Sequence, residues 1–576
     1  MQEGEHSEEI IGDTVKQEDN PLITESTSLV EGSEIEIETA ASLLKKLLKH
    51  TIPIVLDNLI VASTDFGNAI IITKIGGSAV AANAYIGTIK NLFLSPTGAI
   101  FYSLQPILSK EFAKHNQGEF NEILKSSLLL VVPISIATAA ILIPISSLLK
   151  LLGQDELLSD ITADYFRYYV GSLPASLIIQ NLLQVFLSTN NQILLIPTSI
   201  LRTTLELGLG FTFVYGFEMG MTGWKLSTLL QPWISLIFIL LGLKLTNRFD
   251  FSSMFKINLN QHGPKERICN ILGKQLEILR LGVPVGGQIF LELAARFTNT
   301  LILGRQSQYA LIAYNISGQW TYWIVNLHAS ISTSAAVLVA NLRAKGKLAE
   351  LKKVGNISLA IGFSISTAAL ITYSALSRPL TSVLLDKDSN YEAIADFSKI
   401  ILPIASVSTL SFGFKYISSG IARGYEKTTA PMLWDFAGSV AIGLTLAILL
   451  VFAFDWDDPY AVVVAELIGS IFASLGTTIY AHKLSESRAI VDAQDNYTEN
   501  SNFDDNCPSL VETKDDYSDR TKERNGINPA AVICSFFCRK RLRSSIVPAS
   551  QQSLVANLSS PENENVGNKN DFGMRQ

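Results

Sequence analysis

The sequence predicts an all-α membrane protein with twelve transmembrane helices in two six-helix bundles related by a pseudo-twofold axis. Three observations support this prediction. Of the 576 residues, 48% are hydrophobic and only 17% are charged, whereas about a quarter of the residues of a soluble protein are charged. Apolar stretches of about 20 residues, the length that crosses a bilayer, recur along the chain. The two halves of the chain also resemble each other.

The apolar stretches give twelve candidate membrane spans, six on each side of a polar segment in the middle of the chain. They lie near residues 51–73, 83–106, 126–148, 164–187, 193–215, 224–243, 278–303, 311–340, 355–377, 395–420, 430–453 and 460–482. The predicted organisation is an N-terminal tail at 1–46, a first bundle at 47–244, a linker at 245–276, a second bundle at 277–484 and a C-terminal tail at 485–576.

A gapless shift of 231 residues relates the two halves. It superimposes Pro53 on Pro284 and Asn68 on Asn299, and 11 of the 62 residues from Pro53 to Lys114 match. Six helices per half is an even number, so both halves have the same orientation and the axis lies along the membrane normal. Paired bundles of this kind place a substrate site at their interface.

The distribution of lysine and arginine predicts the orientation, because these residues accumulate at the cytoplasmic ends of spans. They cluster after the second span, in the central linker and after the eighth span. Both termini are therefore predicted to be cytoplasmic. A plasma or inner membrane is expected, although residues 18–23 fit an acidic dileucine pattern that would favour an endolysosomal membrane in a eukaryotic cell.

The tails are polar and are predicted to be disordered, since residues 1–40 hold twelve acidic residues against one basic residue, Lys16. Cys534 and Cys538 adjoin a basic cluster near the other end. This pattern suits either an acylated contact with the membrane surface or an unstructured tail. The cysteines and histidines are not spaced like a disulfide framework or a metal site, so we expect no metal.

Three segments carry a resemblance to a known family. They are the first span, IPIVLDNLIVASTDFGNAIIITKIG, the seventh span, LGVPVGGQIFLELAARF, and the link after the tenth span, SGIARGYEKTTAP. Over residues 45–484 the chain resembles the multidrug and toxic compound extrusion transporters. The resemblance implies a secondary active antiporter that exports organic compounds, with amphipathic cations as the expected class, in exchange for protons or sodium by alternating access.

Further properties are expected of a protein of this kind. The coupling ion would be a proton or sodium, and no cofactor and no enzymatic activity are expected. Small organic substrates and the lipid bilayer would be the partners, without nucleic acid, and the protein is expected to be a monomer.

The resemblance also points to cation-coupling residues. The family's glutamate on the seventh helix lies eight residues after a proline, and Glu292 stands in that relation to Pro284. The family's aspartate on the first helix falls on Asn68. Asp65 lies one helical turn before Asn68 on the same face, so the carboxylate would have been relocated rather than lost. Asp65, Asn68 and Glu292 are the predicted cation-coupling residues.

Polar stripes on the first and seventh spans are predicted to line one central cavity. An ionised side chain near the bilayer centre costs several kcal/mol unless it is paired or faces water, so such stripes must face the protein interior. Asp65 is the first candidate for the exchange carboxylate and Glu292 the second. The first stripe is Asp57, Asp65 and Asn68, and the second is Gln288, Glu292, Arg296 and Asn299.

Structural roles remain open for several of these residues. Glu292 and Arg296 are four residues apart, the spacing of an intrahelical ion pair. Asp57 could lie at the membrane interface. Lys90 and Lys415 lie inside spans, where either could extend toward the interface or neutralise an acid across the cavity.

One other transport function remains open. A flippase for a lipid-linked sugar would favour a markedly basic cavity, whereas the two stripes hold three acids and one arginine. A membrane enzyme or receptor would show a clustered nucleophile, metal ligands or a large domain outside the membrane, and the sequence shows none of these features.

Overall fold

The computed structural model describes residues 39–73, 75–151, 153–245, 264–384, 391–454, 456 and 458–501. The predicted tails and central linker lie largely outside these residues. The sorting pattern at 18–23 and the cysteines Cys534 and Cys538 lie outside them entirely.

Within the described residues the chain is helical, and eleven helices are long and apolar enough to cross a membrane. A further helix, the second along the chain, has mixed geometry. With it, helices α1 to α6 form the first half and helices α7 to α12 form the second half. The bounds are α1 Ala40–Thr73, α2 77–113, α3 Gln117–Leu142, α4 Glu156–Ser188, α5 Leu195–Phe211, α6 Gly220–Leu245, α7 Pro264–Gln306, α8 Gln308–Ala344, α9 Leu348–Ala375, α10 Tyr391–Gly424, α11 Thr429–Ala453 and α12 Tyr460–Ser501. Short helices at Ile145–Leu151 and Ser377–Leu384 follow α3 and α9.

The helix α2 corresponds to the span predicted near 83–106 and is not counted among the eleven. It changes from α turns to a π turn at Lys90–Leu94 and to a 3-10 turn at Ile100–Ser103. Such changes in hydrogen-bond pattern bend a helix and often mark functional segments. The π turn places Lys90 beside the first of the cavities described below.

Two helices begin earlier than the sequence predicts. The first bundle was expected to start at residue 47, but α1 starts at Ala40, where Leu43 and Leu47 are both buried. The second bundle was expected to start at 277, but α7 starts at Pro264. Burial of Leu43 and Leu47 against other helices extends the start of α1 beyond the membrane-spanning length, whereas Ile268 and Leu272 near the start of α7 are exposed.

Side-chain caps define several helix starts. Asn116, Asp155 and Ser307 each accept a hydrogen bond from a backbone N–H three residues ahead, at the starts of α3, α4 and α8. These bonds satisfy N–H groups that a helix leaves without an internal partner.

The backbone repeats the relation found in the sequence. A shift of 231 residues superimposes the start of α3 at Gln117 on the start of α9 at Leu348. It also superimposes His115 on Gly346, and both residues have positive φ, 56° and 69° respectively. The same tight turn therefore joins the second and third helices of each half, and the predicted two-bundle fold is confirmed.

The two halves contact each other near the end of the bundle where α1 begins and α12 ends, which we call the tail side. Thr51 of α1 and Ser334 of α8 are hydrogen-bonded at 2.9 Å, and the hydroxyl of Ser103 on α2 donates to the backbone oxygen of Ile278 on α7 at 3.2 Å. Ser103 and Ser334 are equivalent under the shift of 231 residues. The contact between halves is thus itself nearly symmetric.

Two glycines of α7 let the halves approach closely. A Cβ atom on Gly282 would lie 2.2 Å from the backbone oxygen of Ile100, and one on Gly286 would lie 2.6 Å from that of Pro96. Both distances are far below van der Waals contact. Any side chain at these positions would push α7 away from α2.

Candidate functional site

Two cavities meet at Asp65 on α1. The first-half cavity has a volume of about 270 Å³ and is lined by α1, α2, α4, α5 and α6. The central cavity has a volume of about 510 Å³ and lies between the halves, on the side opposite the tail side, which we call the loop side. Asp65 lines both cavities, and its side chain is exposed to them.

The first-half cavity contains equal numbers of acidic and basic side chains. They are Asp65, Lys90, Arg202 and Glu206. The ammonium of Lys90 interacts electrostatically with both Asp65 and Glu206, and it lies 5.7 Å from the centre of the Tyr169 ring. A second carboxylate, Glu206, therefore accompanies Asp65 in this cavity.

Asn68 orients that second carboxylate. Its amide nitrogen donates to Oε1 of Glu206 on α5 at 2.7 Å. Asn68 is not among the residues that line the two cavities, whereas Glu206 lines the first-half cavity. The residue that occupies the family's aspartate position thus contacts an acid instead of supplying one.

The second half repeats this contact. The amide nitrogen of Asn299, the repeat equivalent of Asn68, donates to Oε2 of Glu466 at 3.3 Å, and the Tyr314 hydroxyl donates to the same oxygen at 2.7 Å. Glu466 and Tyr314 line the central cavity. The acid comes from a different position in each half, since Glu206 lies on the fifth helix of its half and Glu466 on the sixth.

Arg296 is the repeat equivalent of Asp65 and also lines the central cavity. Its guanidinium group lies 5.9 Å from the centre of the Phe412 ring. The pseudo-twofold axis thus places a carboxylate and a guanidinium at equivalent positions on α1 and α7. Both side chains line the central cavity, as the polar stripes on α1 and α7 predict for these two residues.

Glu292 belongs to a buried charge cluster formed by α7, α10 and α11. Oε2 of Glu292 lies 2.8 Å from Nζ of Lys415, which lies 2.9 Å from Oδ1 of Asp435. The Tyr416 hydroxyl donates to Glu292 at 2.9 Å. The open question of whether Glu292 pairs within its helix is answered, because its ion pair is formed with Lys415 on another helix. Glu292 is not among the residues lining the two cavities.

Asp57 and Gln288 make hydrogen bonds between helices. The Ser199 hydroxyl of α5 donates to Asp57, and the Ser419 hydroxyl of α10 donates to the buried Gln288 at 2.9 Å. Neither residue, nor the buried Asn299, is among the lining residues of the two cavities. Of the seven residues in the two predicted polar stripes, the structure therefore brings Asp65 and Arg296 to the central cavity, and the other five are not among its lining residues.

Glu206 and Glu466 are absent from the residues predicted above. Both lie inside predicted spans, so the rule that identified Asp65, an ionisable residue within an apolar span, could have found them. The pairing of these acids with Asn68 and Asn299 could not have been predicted in this way, because the contacts join helices that are distant in sequence.

Comparison with known proteins places this geometry in a family. The MatE family model matches residues 53–212 and again residues 284–449, once in each half. A probable multidrug resistance protein NorM of Pseudomonas aeruginosa is 22% identical over 421 residues, which cover 72% of this chain and 84% of the relative. The human multidrug and toxin extrusion protein 1 is 23% identical over 350 residues, which cover 60% of this chain and 58% of the relative.

Solved structures agree with the fold. The crystal structure of the eukaryotic MATE transporter AtDTX14 matches with a TM-score of 0.68 at 16% identity, covering 79% of this chain and 99% of that one. A multidrug resistance MATE transporter in an outward-facing conformation matches with a TM-score of 0.66 at 14% identity, covering 80% and 100%. With both halves matched by the family model, this chain belongs to the MatE family.

Proposed function

We propose that this protein is a secondary active antiporter that exports amphipathic organic cations in exchange for protons or sodium. The observation that carries the proposal is the position of Asp65, which lines both the first-half cavity and the central cavity. One carboxylate is therefore accessible from two cavities of the protein. A substrate cation in one and a coupling ion in the other would compete for the same negative charge.

The central cavity has the chemistry expected for an amphipathic cation. Its acidic side chains are Asp65 and Glu466, against one basic side chain, Arg296. Aromatic rings of Phe297 and Tyr322 lie in the same wall and offer apolar surface and faces that attract cations. A lipid-linked anionic sugar would favour a basic chamber, so the flippase alternative has less support.

Alternating access follows from the way the halves meet. They contact each other on the tail side, while the central cavity lies on the loop side. We infer that the tail side is cytoplasmic, because lysine and arginine cluster in the connections at that end. The chain would then be a monomer with both termini in the cytoplasm and its substrate chamber open toward the outside, and rocking of the halves would expose the chamber to the cytoplasm.

The test is uptake of ethidium into proteoliposomes with an imposed proton gradient and, separately, an imposed sodium gradient. Asp65→Asn keeps the shape of the side chain and removes its charge. We expect it to reduce gradient-driven flux at least tenfold, since coupling needs a carboxylate that can exchange cations.

Asp160→Asn is the matched control. Asp160 is an exposed carboxylate near the loop-side end of α4, where it pairs with Lys150 at 3.0 Å. This variant should transport like the unmodified protein. Full coupled flux in Asp65→Asn would overturn the proposal, and so would an unmodified protein that moves ethidium equally with and without either gradient.

A further inference from the structure

The cluster of Glu292, Lys415 and Asp435 is buried and is not part of the exchange scheme described above. Lys415 and Asp435 are fully buried, and the Glu292 side chain is only 12% exposed. Two carboxylates from different helices therefore share one ammonium group in the interior of the second half.

The ammonium of Lys415 occupies the position that a bound cation would take between two carboxylates. It lies within hydrogen-bond distance of both, at 2.8 Å and 2.9 Å. The rings of Phe412 and Tyr416 lie 4.9 Å and 5.3 Å from it, so aromatic faces surround its remaining sides. Two carboxylate oxygens and two aromatic faces thus supply the kinds of contact that a bound cation makes.

The charges in this region are partly compensated without an external ion. Glu292 and Asp435 contribute two negative charges and Lys415 one positive charge. Arg296, one turn along α7, interacts electrostatically with Glu292 and also with Glu466 of the central cavity, so two carboxylates share its positive charge. Removing one partner from a buried ion pair leaves an uncompensated charge, which is strongly unfavourable. Lys415 is therefore held in place.

We propose that Lys415 is a built-in cation that permanently fills the carboxylate site of the second half. Glu292 and Asp435 then do not bind the coupling ion, and ion exchange is confined to Asp65 and Glu206 in the first half. This inference rests on the proposed antiport function, but it can be tested without any transport measurement. It revises the ranking drawn from the sequence, in which Glu292 was the second candidate for the exchange carboxylate.

The first test is thermal unfolding of the purified full-length protein in sodium chloride and in choline chloride at equal ionic strength. Lys415→Ala would leave two carboxylates facing an empty position, where sodium can bind next to Asp435 Oδ2, an oxygen without a hydrogen-bond partner in the described chain. Binding to the folded state raises its apparent stability. We expect sodium to raise the Tm of this variant by about 3 °C or more relative to choline.

Lys399→Ala is the matched control, because Lys399 is an exposed lysine of the same helix. For this control and for the unmodified protein, the Tm in sodium chloride should equal the Tm in choline chloride, apart from any difference that Asp65→Asn abolishes. A folded Lys415→Ala without a sodium response would overturn the proposal. A sodium response of the unmodified protein that Glu292→Gln abolishes would overturn it as well.

A second variant decides the matter if Lys415→Ala does not fold. The triple variant Glu292→Gln, Lys415→Met, Asp435→Asn removes all three charges with side chains of similar size, a replacement that buried ion pairs often tolerate. We expect it to retain at least half of the gradient-driven ethidium flux. Loss of coupling with continued downhill flux would show that the cluster takes part in ion exchange. If the unmodified protein itself shows no coupled flux, the antiport proposal fails while the salt comparison still tests Lys415.

Discussion

Glu466 is the acidic residue that the second half contributes to the central cavity. Its Oε2 accepts hydrogen bonds from Tyr314 and Asn299, so the carboxylate is oriented while it lines the chamber. A charge held in this way is preorganised for a cationic ligand. A hydrogen bond or contact with a charged group is worth about 1.5–3 kcal/mol, which corresponds to a tenfold or larger change in affinity.

We therefore expect Glu466→Gln to raise the KM for ethidium about tenfold with a smaller effect on the maximal rate. Gradient-driven uptake over a range of ethidium concentrations measures both quantities. Glu392→Gln is the control, since Glu392 is an exposed acid at the loop-side end of α10. An unchanged KM in Glu466→Gln would mean that the substrate does not contact this wall of the cavity.

The surroundings of individual charged side chains were predicted from the sequence in some cases and not in others. Asp65 and Arg296 were predicted to face one chamber because each lies on a polar stripe of an apolar helix, and both line the central cavity. The partner of Glu292 was only partly predictable, because Lys415 was one of two lysines that could neutralise an acid and the sequence did not choose between them. The nearest cation in sequence is Arg296, but Lys415 is brought to Glu292 by the packing of α10 against α7, which no local pattern specifies.

At the scale of elements, the close contact between α7 and α2 depends on glycine. A methyl group at Gly282 or Gly286 would overlap a backbone oxygen of α2, which cannot move aside as a flexible side chain would. Overpacking of this kind typically costs about 1–3 kcal/mol. We expect Gly282→Ala and Gly286→Ala to lower the Tm of the purified protein by several degrees.

Gly273 of the same helix provides the matched control, because a Cβ there would have no neighbour within 4 Å. Gly273→Ala should leave the Tm unchanged or raise it slightly, since alanine favours the helix by about 1 kcal/mol over glycine. If all three variants behaved alike, the close packing of α7 on α2 would not be what the glycines provide.

The sequence predicted the order of the long helices, eleven of which are long and apolar enough to cross a membrane, better than their local geometry. Spans and connections follow from hydrophobic length and from residues such as Asn116, which caps α3. The π turn that begins at Lys90 was not predicted, because a wide turn has no side-chain period of its own. The early start of α1 was missed for a related reason, since it depends on the packing of Leu43 and Leu47 against helices that are distant in sequence.

At the scale of the whole molecule, the contacts on the tail side determine which face of the protein is open. The pairing of Ser103 with α7 and of Ser334 with α1 has the same pattern on both sides of the pseudo-twofold axis. Lys110 of α2 adds an ion pair with Glu426 at 3.4 Å, just after α10. The two halves must separate at these contacts if the central cavity is to become accessible from the tail side.

A disulfide between the two halves at these contacts tests whether the halves must separate during transport. The hydroxyl oxygens of Thr51 and Ser334 are 2.9 Å apart, which places their β-carbons near the distance that a disulfide needs. In a background with the four native cysteines replaced, Thr51→Cys with Ser334→Cys should lose at least tenfold in ethidium flux on oxidation and recover it on reduction. Each single variant should be insensitive to both treatments. If mass spectrometry confirmed the disulfide and transport continued at the rate of the reduced protein, the halves would not need to separate on the tail side, and the rocking of one bundle against the other could not be the transport step.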